Sequence, residues 1–113
     1  MSITINEREQ AGVKIFDLVG RITLGSGNVE LRESINKALD AGDKKLLLNL
    51  AELSYLDSAG VGALVGCFTS AQSRGASLKL VNLTKKIHDV LAITKLITVF
   101  DTFESESEAI NSF

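Results

Sequence analysis

The sequence predicts an α/β fold: one domain over residues 1–113, with a mixed β-sheet that begins as an N-terminal hairpin and with helices packed against it. Three observations carry this expectation. Two loosely alternating runs lie across a short Gly-containing turn near the N-terminus. The run Leu46-Leu47-Leu48-Asn49-Leu50 is nearly continuous in apolar residues, as a strand covered on both faces is. From about Asn28 onward, segments of helical and strand periodicity alternate, which favours parallel strands joined through helices.

Taken in order, Thr4 to Glu9 reads as an edge strand, Gln10-Ala11-Gly12 as a turn, and Val13 to Val19 as the second strand. Gly20 to Gly27 reads as a loop. Leu31, Ile35, Ala38 and Leu39 then recur on one helical face, and Gly42 stands where a helix C-terminal glycine belongs. The strand Leu46 to Leu50 should be followed by a connecting loop over Ala51 to Asp57. A second helix is expected from Ser58 to Arg74, with Gly75 just past it. Ser77 to Leu83 alternates as a strand, and Thr84 should cap a third helix reaching Leu91 or Thr94. Thr98-Val99-Phe100 is expected as a last short strand, and Ser105-x-x-Glu108 is a capping-box pattern opening a C-terminal helix. There is no Pro, no internal repeat and no linker dividing the chain.

Composition narrows the function. With 113 residues and 45% apolar content, the chain can bury one core without disulfide or metal support. A net charge of −2 provides no basic surplus for nucleic acid, and five Phe, one Tyr and no Trp give little to stack on bases. The lone Cys67 has no internal partner and fits a reducing compartment. Met1 to Asn6 lacks the basic and then apolar pattern of a leader, and the longest weakly apolar run, Ala59 to Phe68, is about half of the ~20 residues a membrane helix needs. A soluble cytoplasmic protein without membrane insertion is the expectation.

The most informative motif is Asp57-Ser58-Ala59-Gly60-Val61-Gly62, between an apolar strand and an apolar helix. Gly60-x-Gly62-x-x-x-Gly66 has the wrong spacing for a dinucleotide fingerprint, and no acid follows the next strand, which ends at Asn82-Leu83. No Lys and Ser/Thr follow as in a P-loop. Glycines four apart instead let this helix approach a neighbour closely. A nucleophilic Ser58 would need a base, and the single His88 lies in a predicted helix beside Ile87, Val90 and Leu91. Neither Ser-x-x-Lys nor G-x-S-x-G surrounds Ser58. No cluster of His, Cys or carboxylates has metal-ligand spacing, so no cofactor is expected. Cys67 reads as a small core residue. Two readings of Asp57-Ser58 remain open on the residues alone. In one, Ser58 caps the helix and Asp57 favours its dipole. In the other, Ser58 is a kinase substrate at a helix end that tolerates added negative charge.

The motif Asp57-Ser58-Ala59-Gly60-Val61-Gly62-Ala63-Leu64 resembles the signature of the STAS family, named for sulfate transporters and anti-sigma factor antagonists, and above all its free-standing bacterial antagonist branch. Val90-Leu91, Leu96, Val99-Phe100 and Glu108-Ala109 resemble the family's C-terminal pattern, and Gly20-Arg21-Ile22 fits after the second strand. The likeness spans nearly the whole chain in the expected order. Thr23 stands where the family often has Asp, and Lys95 where it often has Gly. The first departure bears on a partner contact. The second implies a different helix ending, because Lys tolerates a left-handed backbone poorly.

The resemblance implies a partner switch rather than an enzyme. The unphosphorylated protein would bind an anti-sigma factor that is itself a serine kinase carrying ATP and Mg²⁺, and so free a sigma factor for transcription. Phosphorylation of Ser58 by that kinase would end the complex, and a separate serine phosphatase would reset it. Asp57, Ala59, Gly60, Gly62 and Thr23 would join Ser58 on the partner surface, the small residues keeping it open. Two other roles known among such domains stay open at this point: a scaffold in a larger signalling assembly, and an accessory subunit of a lipid or anion transporter. Self-assembly of the free protein would favour the first, and co-purification with membrane subunits the second.

Overall fold

The computed structural model describes residues 3–113, so Met1 and Ser2 of the Met1 to Asn6 stretch lie outside the described residues. Strand β1, Ile3–Gln10, pairs antiparallel with β2, Val13–Ile22, across Ala11 and Gly12. Both turn residues have positive φ, 53° and 80°. That is the signature of the tight turn whose twist matches paired strands. The chain continues as α1 (Asn28–Asp40), β3 (Lys45–Leu56), α2 (Ser58–Ser73), β4 (Ser77–Val81), α3 (Lys85–Ile93), β5 (Thr102–Phe103) and α4 (Glu106–Asn111). Gly42 and Gly75 follow α1 and α2 with φ of 93° and 73°, as expected of residues past a helix end.

The five strands form one mixed sheet in the order β1-β2-β3-β4-β5, antiparallel at β1–β2 and parallel elsewhere. The consecutive leucines of β3 explain the unbroken apolar run. Leu46, Leu48 and Leu50 face α1 and α2, where they meet Leu31, Ile35, Leu64 and Cys67, while Ile87 and Leu91 of α3 complete the same core. Leu47 points to the opposite face and joins Val13, Ile15, Val81 and Ala109 of α4.

Several expectations need correction. Residues 51–56 are not a loop: β3 runs to Leu56, pairing with β2 through two register shifts to the Ile22–Leu56 pair. Likewise β2 reaches Ile22, so Gly20 to Ile22 belong to the strand rather than to the following loop. β4 ends at Val81, short of Leu83. Thr98 to Phe100 is a turn, closed by Val99 N–H donating to the Leu96 carbonyl at 3.0 Å, and Phe100 sits edge-on to Phe68 with ring centroids 5.3 Å apart. The last strand is Thr102–Phe103 instead. Lys95 adopts the left-handed conformation after all, with φ 62°, so the third helix ends as a glycine would end it.

Candidate functional site

The parallel register carries Ile22 and Leu56 out of the sheet side by side, and both chains then turn. One enters the 23–27 turn and the other enters α2. Asp57 is the N-cap of α2, in an extended conformation, and Ser58 is its first helical residue. The expectation that Ser58 caps the helix is therefore corrected: the Oδ1 atom of Asp57 accepts from Gly60 N–H at 2.9 Å. Ser58 is exposed and carries no capping duty. Four orphan N–H groups open every helix, and one strong acceptor here satisfies the third residue in.

The second carboxylate oxygen of Asp57 turns the other way. Its Oδ2 accepts from Leu24 N–H at 3.1 Å, and the Asp57 N–H donates to the Ile22 carbonyl at 3.3 Å. Hydrogen bonds from Gly60 N–H first, and from Leu24 N–H, favour the ionised form and hold the Asp57 carboxyl below its ordinary range. The turn is closed by Thr23 N–H to the Ser26 carbonyl at 2.7 Å and Ser26 N–H to the Thr23 carbonyl at 3.2 Å. Asn28 Nδ2 donates to the carbonyls of Thr23 and Leu24 at 2.6 and 2.8 Å. Thr23 is partly buried, and its hydroxyl spans 3.4 Å to the Ser26 carbonyl. Gly27 ends the turn with φ 89°, where a Cβ would stand 2.5 Å from the Arg21 carbonyl.

The sheet thus brings Thr23, Asp57 and Ser58 to one edge of the molecule. Of the small residues, Gly62 is exposed and Ala59 is partly covered, but Gly60 turns inward and is buried. A Cβ on Gly60 would lie 2.3 Å from the Ile22 carbonyl, whereas one on Gly62 would meet nothing within 4 Å. The close approach expected of the helix glycines therefore belongs to Gly60 against β2 and to Gly66, which faces the Arg32 guanidinium of α1, and not to Gly62. Sequence reasoning missed Leu24 and Asn28. The available signal was a lone leucine inside a polar, glycine-rich stretch.

The other candidates fall away from this edge. His88 is exposed beside Asp89 and lines a cleft of about 600 Å³ with Asn82, Thr84 and Phe103, in which Ser58 takes no part. Cys67 is buried, and desolvation pushes its thiol up to about 12, far from reactive thiolate. No group of three or more His, Cys, Asp or Glu among the described residues is placed to hold a metal ion. Among the same residues no helix is long and apolar enough to cross a membrane.

A model of the STAS domain matches residues 4–109. The chain belongs to the STAS domain family. This STAS domain is 32% identical over 101 residues to the anti-sigma-B factor antagonist of Bacillus subtilis, covering 89% of this chain and 91% of that one. An anti-sigma factor antagonist from Mycobacterium paratuberculosis has the same fold, with a TM-score of 0.86 at 18% identity, covering 98% of this chain and 93% of that one. The antagonist SpoIIAA in its unphosphorylated form is similar too, with a TM-score of 0.80 at 21% identity over 96% of this chain and 95% of its own. SpoIIAA has also been solved in a phosphorylated form, to which this chain compares with a TM-score of 0.73, 21% identity and coverage of 96% and 98%.

Proposed function

We propose that this STAS domain is an anti-sigma factor antagonist whose binding to an anti-sigma serine kinase is switched off by phosphorylation of Ser58. One observation carries the assignment of the residue: Ser58 is exposed at the first position of α2, and Asp57 rather than Ser58 supplies the cap. The hydroxyl is therefore available without loss of helix structure. The γ-phosphoryl group would pass from ATP held with Mg²⁺ by the kinase to Ser58 Oγ, the hydroxyl proton going to a base on the kinase and ADP leaving. A serine phosphatase would hydrolyse the ester and restore the binding form. ATP, Mg²⁺ and the transfer chemistry belong to the partner on this reading, and regulation of transcription is indirect, through the sigma factor that the partner releases.

The phosphate brings nearly two negative charges to a helix N-terminus. The helix dipole and the unpaired N–H groups of the first turn offset part of that charge inside the domain. At the interface the same charge is uncompensated, and burying it there costs about 3 kcal/mol, or roughly a hundredfold in affinity. The output is loss of a partner with the fold intact.

The test is incubation of the purified chain with its cognate kinase and Mg-ATP, followed by mass spectrometry of the Asp57–Gly60 peptide. One phosphate is expected on Ser58, and Ser58→Ala should stay in complex in the presence of ATP. Ser58→Glu should bind about a hundredfold more weakly with an unchanged circular dichroism spectrum. Incorporation that persists in Ser58→Ala would overturn the site.

A further inference from the structure

Leu24 has 79% of its surface exposed, the second-highest exposure among the large apolar residues described. An exposed leucine on a loose loop would mean little. This one sits in a turn tied by two reciprocal backbone hydrogen bonds and by both donors of Asn28 Nδ2. Its own N–H is held at 3.1 Å by the carboxylate of Asp57, the residue immediately before Ser58. The other oxygen of the same carboxylate organises the first turn of α2 through Gly60. One side chain therefore fixes both the backbone that presents the hydroxyl and the backbone that presents the leucine. Each oxygen does one task, and the two are not interchangeable once both N–H groups are in place.

We infer that Asp57 is a positioning residue that locks the Leu24 turn to the α2 N-terminus, so that the kinase meets Ser58 and an apolar anchor, Leu24, as one rigid surface. This rests on the reading of Ser58 as phosphoacceptor. The occupant of the anchor is the kinase itself, through an apolar pocket beside its catalytic cleft. Leu24 N–H is bonded to Asp57, the residue next to Ser58, so a surface closing on Ser58 Oγ meets the Leu24 turn beside it. An anchor already held in its bound geometry is not ordered anew on association, which favours affinity.

Substitution separates the two duties of Asp57. In Asp57→Asn the amide oxygen still caps Gly60, since Asn and Asp cap equally well, but the amide nitrogen cannot accept from Leu24 N–H. The expected result without any partner is at least tenfold faster hydrogen exchange at the Leu24 amide, with Gly60 still protected. The kinase used is the one that phosphorylates the wild-type chain, and Ser58→Ala is assayed beside it. With it, Leu24→Ala and Asp57→Asn should each raise KM at least tenfold while kcat stays within about twofold. The double variant should be no worse than the weaker-binding single one, because both remove one unit. A purely structural role for Asp57 would instead lower the melting temperature and would not couple to Leu24. Unchanged KM in Leu24→Ala, which alters an exposed side chain and so keeps the fold, overturns the anchor while leaving the phosphoacceptor reading intact. Additive losses in the double variant overturn the lock. Phosphate that persists in Ser58→Ala overturns the phosphoacceptor reading itself.

Discussion

At the scale of single residues, the glycines of α2 make opposite predictions within one turn. Gly60 lies against the Ile22 carbonyl, where a Cβ would approach to 2.3 Å, and both partners are backbone in packed elements. Gly60→Ala should lose about 2–3 kcal/mol, read as a lower denaturant midpoint at unchanged slope. Gly62 opens to free space, so Gly62→Ala should gain about 0.5–1 kcal/mol from helix propensity alone. Lys95 offers a second case. It ends α3 at φ 62°, a conformation that glycine adopts without strain. Lys95→Gly should stabilise by roughly 0.5 kcal/mol, the relief of strain exceeding the greater freedom of the unfolded chain. A fall in melting temperature would show that the lysine side chain makes a compensating contact. Sequence reasoning expected the opposite ending at Lys95. It weighed the cost of the backbone conformation and could not see the two N–H groups, Leu96 and Ile97, that both donate to the Leu91 carbonyl and draw the chain back.

At the scale of elements, the C-terminal helix is attached by charge as well as by its small apolar face. Arg8 of β1 donates to Asp17 of β2 at 2.7 and 3.0 Å and to both carboxylate oxygens of Glu106 at the start of α4. These bonds hold the Glu106 and Asp17 carboxyls below their ordinary values of 4.5 and 3.8. Both groups bind protons more weakly in the folded state than in the unfolded state. The stability they contribute is therefore complete above those ordinary values and is lost as pH falls through the lowered folded ones. Arg8→Ala should cost about 1 kcal/mol, as expected of a half-exposed bidentate network, and should flatten the acid dependence of the melting temperature below about pH 4.5. Faster exchange at the Ala109 amide would place the loss in α4. An equally steep acid limb in Arg8→Ala would assign the effect to other carboxylates. The capping-box pattern that announced this helix is realised in part. Ser105 Oγ accepts from Glu108 N–H at 3.2 Å, but the Glu108 carboxylate accepts from the Ser105 hydroxyl and not from its backbone. Such local signals were legible because they act within one helical turn. The second half of β3 was not, because Ala51, Glu52, Ser54 and Tyr55 are exposed and only Leu53 and Leu56 are buried. The register shifts against β2 break the period-two pattern by which a strand is recognised.

At the scale of the whole molecule, the sheet is the common wall of two cores. Leu48 is wholly buried among β-strands and the α1–α2 layer, and nothing polar is buried with it among the described residues. Leu48→Ala should cost about 3 kcal/mol and lower the melting temperature by about 10 °C, with one cooperative transition retained. Ile93→Ala, at an 81% exposed position, should change stability by less than about 0.5 kcal/mol. The same contrast supports the proposal for Ser58: this exposed residue sits on the rim, and the cores that hold the fold lie on the two faces of the sheet, so a phosphate there would leave them intact. The chain's alternation of hydrophobic periods by itself determined the N-terminal hairpin, the helices, the first half of β3, and β4, because these depend on contacts within a strand, a helical turn or a cap, whereas the far end of β3 and the place of β5 were not legible. What only the tertiary structure decided is that the capping carboxylate of Asp57 also holds the Leu24 N–H, that Gly60 is packed and Gly62 free, and that Leu24 stands beside the α2 N-terminus. All three follow from the parallel pairing of Ile22 with Leu56, which joins residues more than thirty positions apart. No local pattern encodes such a register, since it is set by how two strands share one core.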